Sequence, residues 1–106
     1  MSLEVEILID GQAKKVGIES PRGRHQKRYI EVWSKIASSK EVDPEIVKEF
    51  MDMRDSILME LTGMKEEEVE DLELTEKEKI MTVIEDLILM RRRADFLPSS
   101  QKPQSQ

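Results

Sequence analysis

The sequence predicts an α+β fold: an N-terminal β-hairpin followed by three main α-helices, mostly helical, with a disordered C-terminal tail. Three observations carry that prediction. Apolar residues alternate over Val5–Ile9 just before an Asp-Gly dipeptide. Three later stretches repeat apolar residues at three- and four-residue steps. The last residues are Ser, Gln, Lys and Pro. A chain of 106 residues suits one domain. We place that domain at residues 1–97 and the disordered tail at 98–106.

The hairpin spans about residues 4–18. Val5, Ile7 and Ile9 alternate with Glu4, Glu6 and Leu8, the period of a half-buried strand. Asp10-Gly11 suits a two-residue turn, because both central positions need φ > 0. The return strand carries Val16 and Ile18 on one face. Two strands alone are marginal in water, so the hairpin must rest on helices or pair its edges.

Pro21 ends the extended segment. The first helix covers about residues 23–38, with Tyr29, Ile30, Trp33, Ile36 and Ala37 as its apolar face. Its start is basic, at Arg22, Arg24, Lys27 and Arg28. Cations are unfavourable at that helix end, which argues for a start nearer His25. Asp43-Pro44 opens the second helix, about residues 44–61: Asp43 can cap free N–H groups, and the missing donor of Pro44 costs nothing there. Ile46, Val47, Phe50, Met53, Ile57, Leu58 and Leu61 form its stripe, and Gly63 suits its left-handed close. Residues 64–74 are acidic and read as a short helical turn and a loop. Thr75 with Glu78 fits a capping box for the last helix, about residues 76–93. Its face is Ile80, Val83, Ile84, Leu87, Ile88 and Arg91.

Lys and Arg number 17 against 23 Asp and Glu, for a net charge of −6. The charge is segmented. Residues 21–40 hold 6 cations against 1 anion, and residues 91–106 hold 4 against 1. Between them lies an acidic middle. Such asymmetry steers association and favours head-to-tail contacts.

Composition excludes several classes. With no Cys, disulfide scaffolds, thiol catalysis and Cys-based zinc sites are out. No apolar run approaches the ~20 residues of a membrane span, and no secretory signal is read, so the expected location is cytoplasmic. The acidic stretch Glu66–Glu73 lacks the spacing and central Gly of a calcium loop. Gly11, Gly17, Gly23 and Gly63 are isolated, so no phosphate-cradling loop is present. His25, the one histidine, has no Cys or carboxylate at metal-ligand spacing. The expectation is therefore no enzyme, no cofactor and no metal.

What remains are candidate partner-binding residues. Arg22, Arg24, Lys27 and Arg28 admit two readings. They could contact phosphates beside Tyr29 or Trp33, or form a solvated face that pairs with the molecule's own acidic residues. Net acidity favours the second, and nucleic acid is an unlikely partner. The seven methionines offer pliable apolar surface or core filling. Met51 and Met81 are taken as exposed contact points. Arg91 and Arg92 complete the set.

The layout resembles the tail assembly chaperones of long-tailed, siphovirus-type phages and prophages. The resemblance rests on the hairpin Val5-Glu-Ile-Leu-Ile-Asp-Gly, on Pro21-Arg-Gly-Arg24 leading into Tyr29-Ile-Glu-Val-Trp33, on Asp43-Pro-Glu-Ile46, and on Leu74-Thr-Glu-Lys-Glu78. It covers about residues 4–90 and is a pattern of elements rather than a diagnostic motif. The acidic stretch before Thr75 and the Arg91–Arg93 run depart from it. The resemblance implies a non-enzymatic protein of the host cytoplasm. Its partners would be a helical, aggregation-prone client such as a tape-measure protein, and a tail-tube subunit, with self-association possible. It also implies tolerance of a C-terminal extension. Two other readings stand beside it: a small nucleic-acid-binding regulator, and an oligomeric phage structural adaptor of head–tail connector type.

Overall fold

The computed structural model describes residues 3–90. The chain runs β1 (Leu3–Ile9), β2 (Gln12–Ile18), α1 (Gly23–Ala37), α2 (Pro44–Thr62), α3 (Glu66–Glu70) and α4 (Leu74–Ile88). This is the expected hairpin followed by three main helices, with α3 as the short acidic turn. The expected tail lies outside the described residues.

β1 and β2 pair antiparallel with Ile9 opposite Gln12 and Leu3 opposite Ile18. Asp10 at φ 52° and Gly11 at φ 79° make the turn, as the dipeptide requires. Leu3, Val5, Ile7 and Ile9 face inward, together with Val16 and Ile18. Ile7 and Ile18 are fully buried. Each such side chain contributes about 1.5–3 kcal/mol on leaving water, which lets two strands persist against the helices.

α2 begins and ends as read. Asp43 accepts from the Glu45 N–H at 2.9 Å, Pro44 stands at its first position, and Gly63 closes it at φ 75°. The side chains that link the helices give their directions. Arg24, Arg28 and Lys35 of α1 meet Glu60, Ser56 and Glu49 of α2, so the two helices run antiparallel. The Gln26 amide donates to the Ile88 carbonyl at 2.8 Å, and Tyr29 donates to Glu85 at 2.6 Å, so α1 is also antiparallel to α4. The core gathers Met53, Ile57, Leu58 and Leu61 of α2 with Ile80, Met81, Ile84 and Ile88 of α4, and the hairpin covers it.

Arg54 ties the helices together from the side. Its guanidinium donates to Glu78 at 2.8 and 3.1 Å and to Glu85 at 3.0 Å, and it lies 5.7 Å over the Phe50 ring. Burial works against its charge, but the bonds to Glu78 and Glu85 outweigh that and push its pKa up. Tyr29, which shares Glu85, stands edge-on to Phe50 with centroids 5.7 Å apart.

Four expectations are corrected. α1 buries His25, Tyr29 and Val32, with Ile36 half-buried, so its inner stripe is rotated away from Ile30 and Trp33, which are 41% and 47% exposed. α1 starts at Gly23, as its predicted span has it, and the start nearer His25 expected from its cations does not occur, because His25 Nδ1 accepts the Arg22 N–H at 2.9 Å and closes the first turn. The Thr75–Glu78 capping box does not form: Glu73 is the N-cap residue of α4, and the Glu78 carboxylate is drawn to Arg54. α4 ends at Ile88 rather than 93, and Met90 takes a left-handed φ of 61°.

Candidate protein-interaction surface

The basic start of α1 is partly neutralised by α2. Arg24 reaches Glu60 at 3.3 Å, and Arg28 donates to Ser56 at 3.3 Å. Arg22 and Lys27 are exposed. Beneath them His25 is 4% exposed. Because its Nδ1 accepts from Arg22, its proton sits on Nε2, which donates to Glu60 Oε1 at 2.9 Å. That bond, with burial opposing it and Arg24 assisting, holds the Glu60 carboxyl below the usual glutamate range. His25 is thus a structural bridge between α1 and α2.

The methionine pair divides. Met81 is fully buried in the core and can meet no partner, which corrects its assignment as a contact. Its position beside Ile80 and Ile84 puts it between α4 and its neighbours rather than on the outer face. Met51 is 52% exposed. It lies two residues, and hence about 200°, from Glu49, which faces α1. The structure therefore does not bring Met51 to the basic start. Arg91 and Arg92 lie outside the described residues.

The surface that does stand out is one the pattern reading assigned to the core. α1 carries two stripes at helical spacing. His25, Tyr29, Val32 and Ile36 turn inward, while Ile30, Trp33 and Ala37 form a second row open to solvent. That doubling was visible in the residue spacing as more apolar surface than one helix face can bury. Beyond it lies the α1–α2 connection, where Val42 is 85% exposed. Ile36, Val42, Ile46 and Val47 line an open hollow of about 150 Å³ there, rimmed by Lys40, Glu41 and Asp43. None of these four apolar residues belongs to the main core cluster. The end of the α1–α2 pair thus presents its own apolar surface.

Among the described residues, no group of three or more His, Asp or Glu could hold a metal ion. Among them also, no helix is long and apolar enough to cross a membrane. Comparison of the chain with protein-family models, with curated proteins and with solved structures gave no match.

Proposed function

We propose that this chain is a non-enzymatic interaction protein that holds an apolar helical client, working as a tail assembly chaperone of long-tailed phages does. One observation carries the reading: the row Ile30, Trp33 and Ala37 stands open on α1, and the apolar hollow at Ile36, Val42, Ile46 and Val47 opens at the C-terminal end of the same helix. An amphipathic helix presents apolar side chains at matching three- and four-residue steps, and such a row and hollow suit it. The acidic balance suits a protein that must stay dissolved while showing apolar surface. In this reading the client is a tape-measure protein, a tail-tube subunit joins it, and the encounter takes place in the host cytoplasm.

The nucleic-acid reading is the weaker one, because Arg24 and Arg28 are engaged by α2. The test is co-expression with the tape-measure and tail-tube proteins of the same genome. The native chain is expected to keep the tape-measure protein soluble and to co-purify with it, while Trp33→Asp loses both. A client that stays equally soluble with and without the chain overturns the proposal.

A further inference from the structure

The hairpin has two edges, and the fold treats them differently. A two-residue turn closes on a hydrogen-bonded pair, here Ile9 and Gln12. Bonded and non-bonded pairs then alternate. Leu8/Ala13, Glu6/Lys15 and Glu4/Gly17 therefore send their N–H and C=O groups outward, away from the partner strand. On β1 this is seen directly: the outward Leu8 N–H donates to Glu76 Oε1 at 2.7 Å, so α4 blocks that edge. On β2 nothing comparable occurs. Ala13, Lys15 and Gly17 are exposed, and among the described residues their N–H groups meet no acceptor. The nearest tie to a helix is the Glu19 N–H on the Leu61 carbonyl, just past the strand.

We propose that the β2 edge accepts an extended segment of a partner as a third strand, and that this segment carries acidic residues. The side chains select the charge. Lys14 and Lys15 occupy the middle of β2 and lie on opposite faces of the sheet. On the inner face Lys14 lines a hollow with Glu67, Glu68 and Asp71, so it is Lys15, on the outer face, that offers a strand laid beside β2 a positive side chain. A second copy of this chain is the wrong occupant, since antiparallel pairing centred on the strand middle sets Lys14 or Lys15 against its own counterpart. A segment with Glu or Asp opposite Lys15 gains a cross-strand pair instead.

Gly17 points the same way. It is not at positive φ, the pairing runs through it without a bulge, and a Cβ there would meet nothing within 4 Å. The chain's own fold therefore does not require glycine at that place. A glycine inside a strand also marks the close approach of another backbone.

This inference is independent of the α1 surface. The test uses the full chain, labelled with ¹⁵N, and two synthetic probes: acetyl-Thr-Glu-Val-Glu-Val-Glu-Thr and the same peptide with Lys for Glu. The acidic peptide is expected to shift the Ala13, Lys15 and Gly17 amides saturably and to slow their exchange with solvent. Lys15→Glu is expected to weaken the acidic peptide by about fivefold and to favour the basic one. Ala13→Pro removes one outward donor while leaving the ladder to β1 intact, and is expected to abolish binding with an unchanged circular dichroism spectrum. Equal binding of both peptides overturns the proposal, as do shifts centred on Ile30 and Trp33 or β2 shifts produced by raising the protein's own concentration. Loss of client binding in Trp33→Asp with intact β2 shifts separates this site from the α1 surface.

Discussion

The Glu76 carboxylate, in the first turn of α4, accepts the backbone N–H of Leu8, next to the hairpin turn, at 2.7 Å. The two residues are 68 positions apart, and the bond joins the first of the described elements to the last. Lys79 adds a contact to the same oxygen at 3.0 Å. The Leu8 bond, with help from Lys79, holds the Glu76 carboxyl below the usual range. Glu76→Gln keeps an oxygen for Leu8 and is expected to be the milder change. Glu76→Ala removes it and is expected to unfold at lower temperature, with faster amide exchange at Leu8. Equal melting temperatures for the two variants would show that the bond contributes nothing.

Acid should loosen the fold in a defined window. The carboxyls of Glu60, Glu76 and Glu78 all lie below their ordinary value of 4.5. Glu78 is lowered chiefly by its hydrogen bonds from Arg54. A group with a depressed folded pKa binds its proton more readily when unfolded. Its stabilisation is therefore complete above pH 4.5 and is lost as pH falls through and below that value. Urea unfolding at stepped pH is expected to show this loss, and it should be smaller in a variant with Gln at all three positions.

Arg54 is expected to be the costliest polar residue to remove. Arg54→Met leaves Glu78 and Glu85 without their shared cation. A fully buried pair broken in this way costs about 3–5 kcal/mol. The Glu78 side chain is 42% exposed and stays hydrated, so about 2 kcal/mol is expected here. Denaturant titration measures it.

The two methionines should separate cleanly. Met81→Ala opens a cavity at a fully buried position and is expected to cost about 2–4 kcal/mol. Met51→Ala, at a half-exposed position, is expected to stay within about 0.5 kcal/mol of the native chain. Comparable losses would mean that the two share one environment.

Trp33 is the one tryptophan of the chain, so its fluorescence reports on the α1 surface alone. Emission typical of a hydrated indole is expected from the native chain, with a shift to shorter wavelength when an apolar helix docks. Trp33→Ala is expected to leave stability within about 0.5 kcal/mol. A buried-type spectrum in the free protein would remove Trp33 from the proposed surface.

Much of this fold is legible residue by residue, because its signals are local. Asp10-Gly11 specifies a turn whose backbone few other pairs adopt. Asp43-Pro44 and Gly63 bound α2 through short-range capping. Where a signal needed tertiary information, the reading failed. Trp33 and Tyr29 both sit at helical spacing, and only the placement of α2 and α4 decides which of them turns inward. Glu78 suits a capping box with Thr75, but a cation from another helix competes for it and wins. The residues around His25 rule out a metal site but do not show that it is buried and bridges Arg22 to Glu60. The candidate surface is correspondingly half legible: Arg22, Arg24, Lys27 and Arg28 gather at the start of α1, and the spacing on α1 holds more apolar surface than one face buries, but it does not say which of the two rows stays open.

By itself, then, the order of residues determined the element types, their order and most of their ends, because turns, caps and periodicity act within a few positions of the chain. Only the tertiary structure decided which of two apolar stripes on α1 is spent on the core, that Met81 is sealed while Met51 is not, and that α4 closes one edge of the hairpin and leaves the other open. Those outcomes depend on contacts between residues tens of positions apart, such as Leu8 with Glu76 and Tyr29 with Glu85. Burial is a property of the assembled helices, and no local pattern specifies it.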